Sequence, residues 1–201
     1  MQTRHLSVHG AFEFTPKIFP DDRGLFVSPF QQAAFGEVTG RADIPVAQSN
    51  HSCSRRGVIR GVHYTATPPG TAKYVYCPRG RSLDIVVDIR VGSPTYGEWD
   101  AVVLDQIDFR SLYLPVGVGH AFVALEDETV MSYLLTSPYV AEYELSISAL
   151  DPVLRLPVPP DLVPVQSDRD SAAMTLEQAR QQGLLPDYEA CLRVERALWS
   201  V

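Results

Sequence analysis

From Val46 onward the chain is a succession of short runs rich in β-branched and aromatic residues, each closed by a glycine- or proline-bearing turn. The first four runs are 46–52, 58–64, 73–77 and 82–90, punctuated by Pro68-Pro-Gly70, Pro78-Arg-Gly80 and Gly92-Ser-Pro94. The rhythm continues through 99–104, 111–114, 120–125 and 130–136. Short strands at this spacing, with little helix between them, predict an all-β sandwich or barrel of the jelly-roll type. Helix signals lie outside that region. Residues 31–38 predict a short helix stopped at Gly40, 175–182 one capped by Thr175 and ended by Gly183, and 187–199 one whose apolar face carries Leu192, Val194, Ala197 and Leu198. Residues 152–164 hold too many prolines for a helix interior or a central strand and are expected as an extended strap across the barrel. The simplest partition is one domain over 1–201: a barrel core of about 45–150, the strap at 152–164, and a helical tail of about 171–201.

Composition narrows the function classes. With 45% hydrophobic and 20% charged residues in 201, the chain can bury one ordinary globular core. A net charge of -7 argues against a nucleic-acid-binding surface and leaves local basic clusters as the way to hold an anionic ligand. Cys53, Cys77 and Cys191 are odd in number, far apart and without a CxxC pair, which fits a reducing cytoplasm better than a disulfide framework. The polar start Met1-Gln-Thr-Arg-His5 is unlike a signal peptide, and no apolar run approaches a membrane span.

Two stretches carry chemistry. Gly57-Val-Ile-Arg-Gly-Val-His63-Tyr-Thr65 and Pro115-Val-Gly117-Val-Gly-His120 resemble the two metal-binding motifs of a cupin barrel. Thr65 stands where the second histidine belongs, and Pro69 and Gly70 lie where the glutamate belongs. Two of four ligands are too few for a tight site, so no metal and no cofactor is expected. A lone strand histidine is more often structural than functional, but His63 occupies a ligand position, and an imidazole without a metal can move protons near neutral pH. Alternation puts 61, 63 and 65 on one strand face, where small Gly61 and Thr65 leave room beside the ring. Arg23 in a turn and Arg60 and Lys73 on strands read either as solvated cations or, if they converge, as a cradle for a diphosphate or an oxyanion. Tyr133 reads as core or as a proton carrier. Asp170 ends Ser167-Asp-Arg-Asp170, for which the plain reading is an exposed turn before a helix.

Together with these, Asp22-Arg23-Gly24, Gln48-Ser-Asn50-His51-Ser52, Ala72-Lys73, Asp84-Ile-Val-Val-Asp88-Ile-Arg90-Val-Gly-Ser-Pro94-Thr, Tyr133, Leu150-Asp-Pro152 and Ser167-Asp-Arg-Asp170 resemble the dTDP-4-dehydrorhamnose 3,5-epimerase family over about 14–170. The Pro68–Val75 region and the tail Gly183-Leu-Leu-Pro-Asp-Tyr188 look more like the branch serving antibiotic deoxysugars than the rhamnose branch. The resemblance implies a homodimer of double-stranded β-helix barrels that exchange N-terminal strands, and a dTDP-4-keto-6-deoxyhexose substrate inverted at carbon 5, with carbon 3 as a further centre. It implies His63 as base, Asp170 as its partner, Lys73 beside the enolate oxygen and Tyr133 as the acid on the opposite face. Arg23, Gln48, Asn50, Arg60, His120, Glu144 and Arg169 are expected to hold the nucleotide or sugar, Arg23 from the partner subunit, with Tyr139 stacked on thymine. Asp84 is expected to orient His120. Leu25-Phe-Val-Ser28 departs from the rhamnose-pathway pattern, which carries an acid after the Asp-Arg-Gly turn; the departure points to a differently substituted sugar. The alternatives are a rhamnose-pathway 3,5-epimerase, a metal-dependent cupin oxygenase or isomerase, and a non-catalytic sugar-nucleotide-binding barrel.

Overall fold

The computed structural model describes residues 1–41 and 43–199. Its strands are β1 (Gln2–His5), β2 (Phe12–Thr15), β3 (Ile18–Asp21), β4 (Gly24–Val27), β5 (Gln48–Ser54), β6 (Ile59–Thr65), β7 (Lys73–Arg79), β8 (Arg81–Val87), β9 (Trp99–Asp105), β10 (Ser111–Leu114), β11 (Gly119–Ala124), β12 (Thr129–Leu135) and β13 (Glu144–Ser146). The helices are α1 (Gln32–Thr39), α2 (Asp168–Ser171), α3 (Leu176–Gln181) and α4 (Tyr188–Leu198). Ser200 and Val201, expected at the end of the helical tail, lie outside the described residues.

Two antiparallel sheets form a jelly-roll barrel with helices at its C-terminal end. One sheet has six strands in the order β1-β2-β10-β7-β12-β5, the other five in the order β13-β6-β11-β8-β9. Val75, Leu112 and Met131 from the first sheet pack with Val86, Val102 and Phe122 from the second, so the barrel interior is one shared apolar cluster. A second cluster covers the outside of the five-stranded sheet, where Ile59, Val62, Tyr64 and Ile85 meet Leu154, Leu156 and Leu162 of the proline-rich segment and Leu176 of α3. Strands β6 and β8 are thus largely buried on both faces, although they carry polar residues such as Arg60, His63 and Asp84. A third cluster joins Phe14, Tyr74 and Tyr113 of the six-stranded sheet to Phe35 of α1 and Cys191 of α4.

The hydrophobic pattern located β5 to β12 within a few residues. It did not locate β1 to β4 or β13. Strand β1 is exposed along its whole length and has no alternation to detect, yet β1 and β2 extend the six-stranded sheet. The expected run 82–90 stops earlier, at Val87, for a chemical reason. Asp88 is fully buried and takes Arg90 Nε and Nη2 at 2.9 and 2.7 Å, with the Ser93 and Thr95 hydroxyls each donating at 2.6 Å. Arg90 also donates to the carbonyl of His9 at 2.8 Å, which ties the N-terminal arm to the barrel. The Asp88-to-Thr95 motif therefore acts structurally. Burial works against ionisation of Asp88, but its bonds to Arg90, Ser93 and Thr95 win and hold its carboxyl below the usual range.

Removing one member of a buried ion pair strands the other charge. Asp88→Asn is expected to cost about 3–5 kcal/mol of stability at neutral pH, read by urea unfolding. Because the folded-state value is depressed, this contribution is complete above the unfolded carboxyl value of about 3.9 and fades as pH falls through the folded one. The gap between variant and wild type should therefore narrow in acid. Equal midpoints at neutral pH would contradict this reading.

Candidate active site

The site begins with an irregularity in β6. His63 pairs with His120 of β11, but the next pair is Arg60 with Phe122, so Gly61 and Val62 together oppose Ala121 alone. This β-bulge adds one residue and reverses the alternation. Strict alternation would have put Arg60 and His63 on opposite faces. Instead both line one open cavity of about 490 Å3, and Val62 turns into the outer core. Gly61 sits at φ 111°, and a Cβ there would lie 2.4 Å from the carbonyl oxygen of His120. Only glycine allows the two histidine-bearing strands this approach.

The six-stranded sheet supplies the facing wall. Tyr133 of β12 pairs with Asn50 of β5, and Leu135 pairs with both Lys73 of β7 and Gln48 of β5. These positions share a sheet face, and Asn50, Lys73 and Tyr133 line the same cavity as His63, His120 and Glu144. The rings of His120 and Tyr133 lie edge to face with centroids 6.0 Å apart, which fixes how closely the two walls approach.

Each ring has a fixed partner. His63 Nε2 is 2.6 Å from Asp170 Oδ1. Asp170 lies in α2, whose first turn is capped by the Ser167 hydroxyl accepting the Asp170 N–H at 3.2 Å. The plain reading of this run as an exposed turn is corrected here, since Asp170 is only 4% exposed. Burial opposes its ionisation, but the His63 bond and charge, the Gly61 N–H and the Ser167 contact outweigh it and hold the carboxyl below the usual range. An ionised carboxylate only accepts, so His63 donates from Nε2, and the neutral ring would carry its lone pair on Nδ1. His120 Nε2 lies 3.0 and 2.9 Å from the two oxygens of Asp84, the arrangement expected from the sequence.

Burial pulls the Lys73 ammonium below its ordinary range; Glu144 works against that shift, Arg169 adds to it, and Asp84 opposes it. Burial pushes the Tyr133 phenol above its ordinary value, with Ser52 and Arg60 countering and Asp84 reinforcing. Tyr133 is therefore a protonated donor at neutral pH.

The remaining expected residues fall in three places. Arg60 lines the cavity with its Nε 3.2 Å from Ser54 Oγ, and exposed Tyr139 stands on the cavity wall. Gln48 braces the wall by donating to Asn50 at 2.7 Å and accepting the Tyr139 N–H at 2.8 Å. Arg169 donates to the Glu144 carbonyl at 2.9 Å and lines a neighbouring cavity. Arg23 is remote: it sits exposed at the tip of the β3–β4 hairpin, paired with Asp21 at 2.5 Å. Sequence reasoning missed two hydroxyls. Ser52 lies 3.4 Å from the Tyr133 oxygen. Thr65, in place of a metal-binding histidine, donates to Glu144 at 2.7 Å. That substitution was visible in the sequence; its partner was not.

A sequence model of the family described as dTDP-4-dehydrorhamnose 3,5-epimerase matches residues 5–178. The chain is 47% identical over 191 residues to a dTDP-4-dehydrorhamnose 3,5-epimerase of Mycolicibacterium smegmatis, spanning 95% of this chain and 94% of that protein. It is 44% identical over 192 residues to a dTDP-4-dehydro-6-deoxyglucose 3-epimerase of Streptomyces bikiniensis, spanning 96% and 97%. Among solved structures, a 4-keto-6-deoxy sugar epimerase from the novobiocin biosynthetic gene cluster of Streptomyces spheroides matches with a TM-score of 0.91 at 44% identity, over 95% of each chain. A 3'-monoepimerase from Streptomyces bikiniensis in complex with dTDP-quinovose matches with a TM-score of 0.91 at 44% identity, over 96% of this chain and 97% of that one.

If Asp170 holds the imidazole, Asp170→Asn should lower kcat by about a hundredfold or more while dTDP binding, measured by calorimetry, changes little. A variant as fast as wild type would remove Asp170 from the site.

Proposed function

Because the chain belongs to the dTDP-4-dehydrorhamnose 3,5-epimerase family, we propose that it inverts carbons 3 and 5 of a dTDP-4-keto-6-deoxyhexose. The observation that carries this reading is the placement of two unlike proton carriers on facing sheets of one cavity: His63 backed by Asp170, and protonated Tyr133. A ketone acidifies the hydrogens on its neighbouring carbons. His63 Nδ1 takes such a hydrogen as a proton, and the electrons of the broken C–H bond pass into the enolate. Lys73 donates to the enolate oxygen, where negative charge develops. Tyr133 then delivers its proton to the other face of the carbon, and the centre is inverted. A single base would return the proton to the face it left.

The sequence put carbon 5 first. The relatives' names add carbon 3, which a 3-epimerase and a 3,5-epimerase have in common. A 3,5-epimerase accommodates both. The antibiotic-cluster relative supports a deoxysugar made for a secondary metabolite, and Ser28, in place of the rhamnose-pathway acid, favours an altered sugar substituent. The rhamnose-pathway substrate stays a second reading, favoured by the mycobacterial match. Arg60, Asn50, Gln48, His120, Glu144 and Arg169 would hold the diphosphate and sugar, with Tyr139 against the thymine. Free Cys53, Cys77 and Cys191 fit a reducing cytoplasm, and among the described residues no helix is long and apolar enough to cross a membrane.

Two copies would complete the site. Strand β5 ends its sheet, and the β3–β4 hairpin stands apart as a two-stranded sheet with Phe19, Leu25 and Phe26 exposed. An open sheet edge and a detached apolar hairpin fit strand exchange between subunits. Arg23 would then reach the partner's cavity.

In deuterium oxide, NMR should find label at carbons 3 and 5 of the product, and none after His63→Ala. Tyr133→Phe should still exchange hydrogen but fail to invert. Wild-type protein that binds dTDP and exchanges at neither carbon would instead be a non-catalytic binding barrel. For the dimer, inactive Arg23→Ala and His63→Ala proteins refolded together should regain about a quarter of wild-type activity, because half of the random pairs hold one intact site. No recovery would place Arg23 in its own subunit's site or outside any site.

A further inference from the structure

Strand β5 turns Gln48, Asn50, Ser52 and Ser54 inward and leaves Ser49, His51 and Cys53 exposed. Three of the four inward groups are braced against their surroundings. Gln48 donates to Asn50 at 2.7 Å, and Ser54 Oγ accepts from Arg60 Nε at 3.2 Å. Ser52 differs. Among the described residues its hydroxyl has one partner, the Tyr133 oxygen at 3.4 Å. The register accounts for the contact: Met131 opposes Ser52 and Tyr133 opposes Asn50, so Ser52 and Tyr133 are diagonal neighbours on one sheet face. The Tyr133 ring meets the His120 ring edge to face. The ring and its oxygen are therefore held from two different strands, β11 and β5.

The inference rests on the reaction proposed above. As Tyr133 gives its proton to carbon, its O–H bond breaks, the enolate electrons form the new C–H bond, and the oxygen is left as a phenolate. Burial opposes that charge; Ser52 and Arg60 favour it, and Asp84 and Cys77 add to the opposition. A phenolate oxygen only accepts, whereas a serine hydroxyl turns to suit and can donate. A donor aimed at this oxygen therefore binds the charged form more strongly than the neutral one, and such a bond speeds the step in which the charge appears. Before the next inversion, solvent returns a proton to the phenolate and takes the one that His63 holds.

We propose that Ser52 is the positioning residue of the second proton transfer: its hydroxyl holds the Tyr133 oxygen and donates to it as the phenolate forms. With Ser52 donating, the phenol's own proton is left free to face the sugar. Ser52 acts through Tyr133 and touches no reacting carbon. It does for the acid what Asp170 does for the base.

The test compares wild type, Ser52→Ala, Ser52→Thr and Tyr133→Phe in deuterium oxide with dTDP-4-keto-6-deoxyglucose, stopped at partial conversion. NMR reads deuterium in recovered substrate, which reports abstraction by His63, against inverted product, which reports delivery by Tyr133. Ser52→Ala should lower kcat for inversion about tenfold, the worth of one hydrogen bond to a charged group, while labelling of recovered substrate persists. The ratio of exchange to inversion then rises about tenfold, part of the way towards Tyr133→Phe. Ser52→Thr keeps a hydroxyl and should return the ratio to near its wild-type value. A misfolded fraction lowers exchange and inversion together and leaves the ratio alone. An unchanged ratio in Ser52→Ala overturns the inference. So does a Ser52→Thr protein no better than Ser52→Ala, or a change confined to KM, which would make Ser52 a sugar contact instead. Failure of the underlying reading looks different: wild-type protein labels neither substrate nor product, or Tyr133→Phe inverts as fast as wild type.

Discussion

One extra residue in β6 governs the site. With Gly61 and Val62 set against Ala121 alone, Arg60 and His63 come to the same side of the strand, and Val62 joins the core beneath the proline-rich segment. The bulge needs a residue with positive φ and no side chain, because the His120 carbonyl occupies the space of a Cβ. The Gly61 N–H also faces Asp170 Oδ2 at 3.5 Å. The same residue therefore lets β6 and β11 approach and contributes to holding the carboxylate that fixes His63.

The buried charges divide into two kinds of work. Asp88 accepts from Arg90, Ser93 and Thr95, and Arg90 also donates to the His9 carbonyl, so together they pin the N-terminal arm and end β8. The site is less complete by comparison. Among the described residues, Nδ1 of His63 has no hydrogen-bond partner and the Tyr133 hydroxyl has one long contact, to Ser52. Burial keeps that phenol protonated and draws Lys73 downward. Polar groups that stay reachable and incompletely paired are suited to meeting a substrate, whereas a fully satisfied network only stabilises. Thr65 fits this division. Its hydroxyl spends itself on Glu144 and steadies the cavity wall where a metal ligand would otherwise point inward.

Most of the barrel was legible because burial alternates along its strands or fills them outright. Residues 99–104 and 111–114 needed nothing beyond β-branched and aromatic runs between turns. What escaped was set by partners distant in sequence. Strand β1 is all exposed and is a strand only because β2 pairs with it. Asp170 reads as a surface acid until α2 folds against β6. The helix signals served better, since they are local: Thr175 and Gln178 form the capping box, and Gly40 closes α1 in a left-handed conformation. For the site, the motifs named His63, Lys73 and Tyr133, and the fold brought them to one cavity. Strict alternation would have separated Arg60 from His63, and nothing but the glycine at 61 hinted otherwise.

The account depends on a hexose ring lying between the imidazole and the phenol. The most direct measurement is a crystal structure of the protein with a dTDP-linked 6-deoxyhexose bound. The account predicts a ring carbon next to C4 with His63 Nδ1 on one face and the Tyr133 hydroxyl on the other, each at a reacting distance of about 3–3.5 Å. Density that places both groups on the same face of the ring, or the ring outside the space between them, would contradict it.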